Sequence, residues 1–482
     1  MIISEGRSEL DGKWRIRSSD IIMRWREQNE AGAWVRKEKI DTSFKPYGYV
    51  NPNKFFVCNG HEYDPLSYQQ QKRYQVEEIC EKDGTLDRKV DAVDSKGIPL
   101  WKVTFDSPTH QWWFRRRYSH DAIKYCDGTY ELDVPYVDRY LIDNVEKIVS
   151  YKPRLLYIDL ESTQFTSEES PRYPCLPGQE HRGHQEINTI GCYDNYSNTY
   201  VQWFQHPEIE QRMGSDTFDG QFVEIRYFSD EKTMLEDFVE WLDMIDPDML
   251  LAWGMGFYDL PTLYTRLEAT GVGAFKLSPS SLGHHQFVEP LNKNGEYGWT
   301  TQPIVGRIVI SLDRLFERVY KDSTNSELQS KKLDRVGSLL FGRGKTEWRP
   351  DFWDKDYHKE EYNFLYYNYR DVALMKMIDD KYNVVDGQLA LQELCGCSYV
   401  STFYGSNFAR VYFMRKADFK QRTGKRRRGE KSKDKAKGAL VLDPEELKTY
   451  GINNNVAILD YSGLYPAMMV AYNTSWETRV LE

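Results

Sequence analysis

The 482-residue chain contains no run of about 18 apolar residues and no charged start leading into an apolar stretch. These two absences argue against a membrane-spanning helix and a secretory leader, and they point to a cytoplasmic location, in the host cell if the chain is viral. Cysteine is scarce, with seven residues, and the one close pair, Cys395 and Cys397, lacks the spacing of the usual zinc or redox motifs. A disulfide scaffold is thereby excluded, and free thiols in a reducing compartment are expected. Positive charge is in deficit, with 64 Lys and Arg against 74 Asp and Glu. A net charge of −10 is unusual for a protein that grips phosphates, but the distribution of charge matters more than its sum.

What is present is a long chain of mixed polarity, 40% hydrophobic and 14% aromatic. That length is too great for one core and predicts about three domains. The clearest basic run spans 422–437, where nine Lys or Arg, among them Arg426, Arg427 and Arg428, meet only Glu430 and Asp434. Without apolar periodicity it reads as an exposed segment that touches backbone phosphates, with a localisation signal or a merely solvated loop as the alternatives. Residues 1–150 show short strands between polar loops, for example Trp101-Lys102-Val103-Thr104-Phe105, and predict a β-rich domain. Residues 151–383 alternate strand and helix patterns: a strand over 154–160, a hairpin from 187–193 and 199–204, and a helix over 231–245. The remaining residues, 384–482, begin helical, cross the basic run and end in a strand at 456–460.

Three elements of the middle region carry chemistry. In Leu155-Leu156-Tyr157-Ile158-Asp159-Leu160-Glu161 an apolar strand ends in two carboxylates, and a period of two puts Asp159 and Glu161 on the same face. Two anions held that close repel unless a cation lies between them. Further on, a buried strand runs through Trp253-Gly254-Met255-Gly256-Phe257-Tyr258-Asp259, which places Asp259 at the start of a helix. There the helix dipole and free amides favour its ionised form, and taken alone the residue reads better as an N-terminal cap than as a metal ligand. In a third, helical stretch, Tyr367 and Asp371 are four residues apart and share a face, a pairing that ordinary packing also produces.

Taken in order on strand, turn-helix and helix, these elements resemble the three exonuclease motifs of family B DNA polymerases of the archaeal and phage kind. The resemblance implies an α/β multidomain chain: a β-rich amino-terminal domain, an RNase H-like 3′ to 5′ exonuclease domain and part of an α+β palm. It implies that Asp159, Glu161 and Asp371 hold one divalent metal, that Asp159 reaches a second, and that Asp259 supports it through water. Tyr367 would orient the attacking water. Carboxylate oxygens suit hard cations, so two Mg²⁺ or Mn²⁺ per site are expected. The family usually has Asn where Gly254 stands and Phe where Tyr258 stands, which predicts an altered grip on the strand end. Phe44-Lys45-Pro46-Tyr47 and the stretch 130–143 resemble the amino-terminal domain of the same polymerases.

Near the end, Asp460-Tyr461-Ser462-Gly463-Leu464-Tyr465-Pro466 resembles the first metal-binding motif of the polymerase palm. By that resemblance Asp460 coordinates both synthesis metals, the amides of Tyr461, Ser462, Gly463 and Leu464 meet the triphosphate of a dNTP, and Tyr465 underlies its sugar. The family normally has Ser at the position of Gly463. Gly438 and Ala439 resemble the short template-binding motif between the two sites. No Asp-Thr-Asp motif follows Asp460, and no finger-helix motif is found.

The expectation is therefore the amino-terminal subunit of a split polymerase, competent for proofreading on single-stranded 3′ ends. Its synthesis of primer-template DNA would be completed by a carboxyl-terminal chain bringing fingers, thumb and the rest of the palm, with a sliding clamp reached through that partner. The alternatives are a free-standing exonuclease derived from a polymerase and a non-catalytic DNA-binding or regulatory module.

Overall fold

A computed structural model describes residues 1–10, 14–53, 55–59, 71–75, 80–81, 84–94, 97–118, 129–148, 151–162, 186–346, 357–416, 420, 422 and 463–473. The chain divides into two units, Met1–Arg426 and Arg427–Glu482.

The first unit opens with strands. A long antiparallel sheet joins β1 (Ile2–Leu10), β2 (Trp14–Gln28) and β3 (Trp34–Asp41). After β4 (Tyr47–Val50), the hairpin of β5 (Phe55–Asn59) and β6 (Gln71–Gln75) stands as a separate two-stranded sheet. A further sheet in the order β7-β8-β4-β9 uses β7 (Thr85–Asp87), β8 (Trp101–Thr104) and β9 (Thr129–Tyr130). Two helices, α1 (Pro108–Tyr118) and α2 (Tyr136–Asn144), cover these strands. Tyr136 and Tyr140 of α2 pack on Ile21 and Met23 of β2. The segment 130–143 thus folds as the end of a strand, a turn and a helix.

The strands that follow build a seven-stranded mixed sheet in the order β13-β14-β12-β11-β10-β15-β16. They are β10 (Leu155–Ser162), β11 (Ile187–Asp194), β12 (Thr199–Gln205), β13 (Arg212–Phe218), β14 (Gln221–Phe228), β15 (Met249–Ala252) and β16 (Ile308–Ser311). The expected hairpin is present, with β11 and β12 antiparallel. β15 runs parallel to both β10 and β16. Met249 to Ala252 of β15 are apolar and all buried, as a parallel central strand requires.

Helices lie on both faces. On one, α3 (Glu231–Ile245) and α4 (Asp259–Ala269) close a core with Leu156, Ile158 and Leu160. On the other, α5 (Leu312–Thr324), α6 (Leu333–Phe341), α7 (Glu361–Tyr382) and α8 (Val384–Cys395) close a core with Leu155 and Tyr157. The alternation along β10 therefore sends Asp159 and Glu161 to the α7 side. The helix expected over 231–245 has those bounds, capped at its start by Asp230, whose side chain accepts from the Thr233 amide.

Arginines tie the first sheet to the mixed one. Arg24 and Arg36 each donate to Asp246 Oδ2 at 2.8 Å, and Arg26 donates to Asp248 Oδ2 at 2.8 Å. Burial alone would raise the Asp246 pKa, but Arg307, Arg24 and Arg36 outweigh it and hold the group below its ordinary value. After α8 comes α9 (Gly405–Lys416), whose Val411 packs on Cys395 and Cys397. Both cysteines are buried thiols, as is Cys192.

Of the second unit only 463–473 is described. It holds α10 (Leu464–Ala471), opened by Gly463, with Tyr465 exposed. Asp460, Tyr461, Ser462, Gly438, Ala439, Arg427 and Arg428 lie outside the described residues, as does Arg426 at the end of the first unit. No helix among the described residues is long and apolar enough to cross a membrane.

Candidate metal centre

β10 and α7 bring three carboxylates together. One oxygen each from Asp159, Glu161 and Asp371 lies within 4.8 Å of the others, the one such acidic or metal-ligating group among the described residues. Glu161 and Asp371 are buried, while Asp159 keeps part of its surface open to solvent. Both elements are rigid, since β10 is hydrogen-bonded on either side and α7 runs for 22 residues. Tyr367 sits one turn before Asp371 on the same face of α7 and is 7% exposed.

Asp259 is the first residue of α4, as the sequence suggested, but it does not cap that helix. The N-cap position belongs to Tyr258, and no side chain closes it. The Asp259 carboxyl is pushed up to about 7, first by burial, with Asp313 and Asp371 adding repulsion and the backbone N–H groups of Asp259 and Leu160 pulling the other way. It belongs to the electrostatic field of the centre without being one of the three that meet within 4.8 Å.

The two departures from the family pattern have local explanations. Gly254 adopts a φ of 105°, in the region that favours glycine, and its carbonyl accepts from the amides of Phe257 and Tyr258 at 2.8 and 3.0 Å. An Asn at that position would be strained. Tyr258 uses the hydroxyl that Phe lacks: its oxygen lies 2.8 Å from the Ser162 hydroxyl, which links the start of α4 to the end of β10.

Electrostatics make the cluster costly by itself. Burial raises the Asp159 pKa well above its ordinary range, and Asp371, Glu161 and Asp259 raise it further. Glu161 is pushed up to about 8, again by burial first, with Lys345 opposing and Asp371 and Asp259 adding. Four carboxylates that repel one another face one described ammonium, that of Lys345, among the causes of these shifts. An all-oxygen, like-charged donor set at this spacing fits a hard divalent cation, and does not fit a soft metal that wants thiolate or imidazole.

Lys345 was not legible in the sequence. Its ammonium forms an ion pair with Asp371 Oδ2 and donates to the Tyr367 hydroxyl at 3.1 Å. Burial would lower its pKa, but Asp371, Asp159 and Glu161 hold it above the ordinary lysine value. The loop that carries it is pinned from two helices. Asp334 of α6 accepts from the Lys345 amide at 2.7 Å, and Arg370 of α7 donates to the Gly344 carbonyl at 3.1 Å. Asn368 and Asp313 were likewise missed. Asn368 donates to Asp159 Oδ2 at 2.8 Å, and Asp313 at the start of α5 adds negative charge beside Asp259. No local pattern marks any of the three, because each acts across elements far apart in the chain.

Comparisons with known proteins show what the chain is similar to. Residues 178–336 match the model described as DNA polymerase family B, exonuclease domain, and residues 404–482 match the model described as DNA polymerase family B. The first match includes Asp259 and lies between the segments that carry Asp159, Glu161, Tyr367 and Asp371. The chain is 23% identical over 464 residues to a DNA polymerase of Pyrococcus glycovorans, covering 92% of this chain and 51% of that protein. It is 23% identical over 422 residues to one of Thermococcus litoralis, covering 83% and 22%, and 23% identical over 395 residues to one of Thermococcus gorgonarius, covering 79% and 44%. This chain thus spans about half the length of the first relative and less of the others. Residues 178–336 and 404–482 thus match the exonuclease and polymerase domains of family B DNA polymerases, in that order, and archaeal DNA polymerases align along most of the chain.

Proposed function

We propose that residues 151–383 act as a 3′ to 5′ DNA exonuclease that removes nucleoside monophosphates from an unpaired strand end. The observation that carries the reading is the meeting of Asp159, Glu161 and Asp371 within 4.8 Å. These three side chains would hold one divalent ion, with Asp159 shared by a second and Asp259 supporting it through water. When bound, such ions stabilise the charge that develops on the attacking and leaving oxygens of a phosphodiester. The Tyr367 hydroxyl, already a hydrogen-bond acceptor from Lys345, orients the attacking water. Lys345 holds Asp371 and Tyr367 in one arrangement and offsets part of the negative charge that would repel a phosphate. Phe257, exposed at the turn before α4, offers a face for a terminal base.

We assign residues 384–482 to the first part of a polymerase palm. Asp460 would hold the synthesis metals, 461–464 would meet the triphosphate, and Tyr465 would underlie the sugar. Gly438, Ala439 and Arg426 to Arg428 would contact the template-primer backbone. Nucleotidyl transfer needs a second carboxylate, fingers and thumb besides these residues.

The exonuclease reading is tested with a strand carrying a radiolabelled 3′-terminal nucleotide. The purified chain with Mg²⁺ is expected to release labelled monophosphate, and Asp371→Ala is expected to release none. Equal release by the two proteins would sink the assignment.

A further inference from the structure

We propose that Gln202, Asn368 and Gly191 form a positioning device that fixes the Asp159 carboxylate, an inference that deepens the reading of the centre as a metal site and rests on it. The three residues come from three elements. Asp159 of β10 pairs with Gly191 of β11, and Gly191 pairs with Gln202 of β12, so the three stand in one row across the sheet. The alternation along each strand puts that row on the α7 side, where Tyr157, Tyr193 and Tyr200 also point.

Asn368 descends from α7 onto the middle of the row. Its Oδ1 accepts from Gln202 Nε2 at 2.8 Å, and its Nδ2 donates to Asp159 Oδ2 at 2.8 Å and to the Asp159 carbonyl at 3.2 Å. Gln202 is itself held, since the same nitrogen donates to the Leu365 carbonyl at 3.0 Å. Asn368 is 0% and Gln202 1% exposed, so water does not compete for these bonds.

The relay has a direction. Because Gln202 presents an N–H, the Asn368 amide must offer its oxygen to that side and its NH₂ to Asp159. A turned amide would set oxygen against a carboxylate and nitrogen against nitrogen. One carboxylate oxygen of Asp159 is thereby claimed by an N–H, and the group keeps one orientation toward Glu161 and Asp371. Gly191 makes the relay sterically possible. A Cβ there would stand 2.1 Å from Asn368 Oδ1 and 2.9 Å from its Cγ, so any other residue would push the amide off the row. Partners of this kind orient metal ligands, and their loss typically weakens metal affinity or activity by about 10- to 100-fold.

The test measures Mn²⁺ binding to the full chain by electron paramagnetic resonance, beside the rate of 3′ shortening at varied Mg²⁺. Asn368→Ala is expected to weaken Mn²⁺ about 10- to 100-fold and to raise the Mg²⁺ needed for half-maximal shortening by a similar factor, with KM for the strand end unchanged. Gly191→Ala is expected to weaken Mn²⁺ in the parent but to add nothing in the Asn368→Ala background, where no amide remains to be displaced. If Asn368→Ala does not fold, as judged by thermal melting in EDTA, Gln202→Met serves in its place, and about threefold weaker Mn²⁺ binding is expected because the amide can then turn. Parent-like Mn²⁺ affinity in the folded variant, or an equal effect of Gly191→Ala in both backgrounds, would overturn the inference. Mn²⁺ binding that depends on Asp159 and shows this coupling, in a chain that shortens no DNA, would leave the positioning device standing and remove the nuclease reading alone.

Discussion

Replacing Glu161 by Gln keeps the side chain's volume and removes one of the charges that the folded centre must bear without a cation. The Glu161 carboxyl titrates at about 8 in the fold against 4.5 ordinarily, so the folded chain favours its protonated form. Its contribution to stability is therefore fully present below pH 4.5 and is lost as the pH rises to about 8. That span corresponds to about 5 kcal/mol at its upper end. Gln gives up the attraction of Lys345 and must find partners for its amide, which leaves an expected gain of about 2–4 kcal/mol for Glu161→Gln at pH 8 in EDTA. Asp159 and Asp259 are shifted in the same direction, so the parent's stability in EDTA should fall steadily across this window, while the variant's falls less. Denaturant titrations at pH 4.5 and pH 8, with EDTA or with Mg²⁺, read this directly. Mg²⁺ should stabilise the parent at pH 8 far more than the variant. A parent whose stability in EDTA is flat between the two pH values, or a variant that is less stable than the parent at pH 8, would refute the reasoning.

Lys345→Met removes the ammonium shared by Asp371 and Tyr367 and is expected to lower kcat of shortening about 10²-fold at saturating Mg²⁺, with the melting temperature in EDTA at or below that of the parent. An unchanged kcat would show that the lysine only neutralises charge. Arg266→Met strands Glu231, whose carboxylate accepts from Arg266 Nε at 2.9 Å in a buried pair, and should cost about 3–5 kcal/mol in denaturant titration. Adding Glu231→Gln should recover most of that loss. Tyr258→Phe deletes the hydroxyl that meets Ser162 and should cost about 1 kcal/mol, with shortening of unpaired ends retained. Loss of shortening there would give the hydroxyl a part in holding the strand.

Much of the site was legible because strand and helix periods place side chains without knowledge of the fold. A period of two put Asp159 and Glu161 together, and a spacing of four aligned Tyr367 with Asp371. β10 runs to Ser162, so Glu161 lies within the strand rather than just past its end. The helix over 231–245 was marked by its helical spacing, and the hairpin of β11 and β12 by two strand patterns in succession. Asp259 misled in one respect: its place at a helix start suggested a cap, whereas burial and neighbouring carboxylates dominate its behaviour. β13 and β14, and the parallel pairing of β14 with β12, were not foreseen, since their register is set by the sheet as a whole. Lys345 meets residues about a turn of helix apart on α7 from a loop outside it, and Asn368 reaches Asp159 across 209 positions. Contacts of that kind depend on how α7 seats on the sheet, which no local pattern encodes. Gly191 could have given a hint, because a glycine inside a fully buried strand marks a close approach by another group.

The proposed metal-dependent trimming of DNA from the 3′ end is open to a direct test. A 5′-labelled primer annealed to a longer template, incubated with the purified chain and Mg²⁺ with and without nucleotides, tests it beside Asp159→Ala. Stepwise shortening from the 3′ end that vanishes in Asp159→Ala and in EDTA is expected, with no extension by residues 1–482. Shortening that survives in Asp159→Ala, or a parent that leaves the primer intact at every Mg²⁺ concentration, would contradict it.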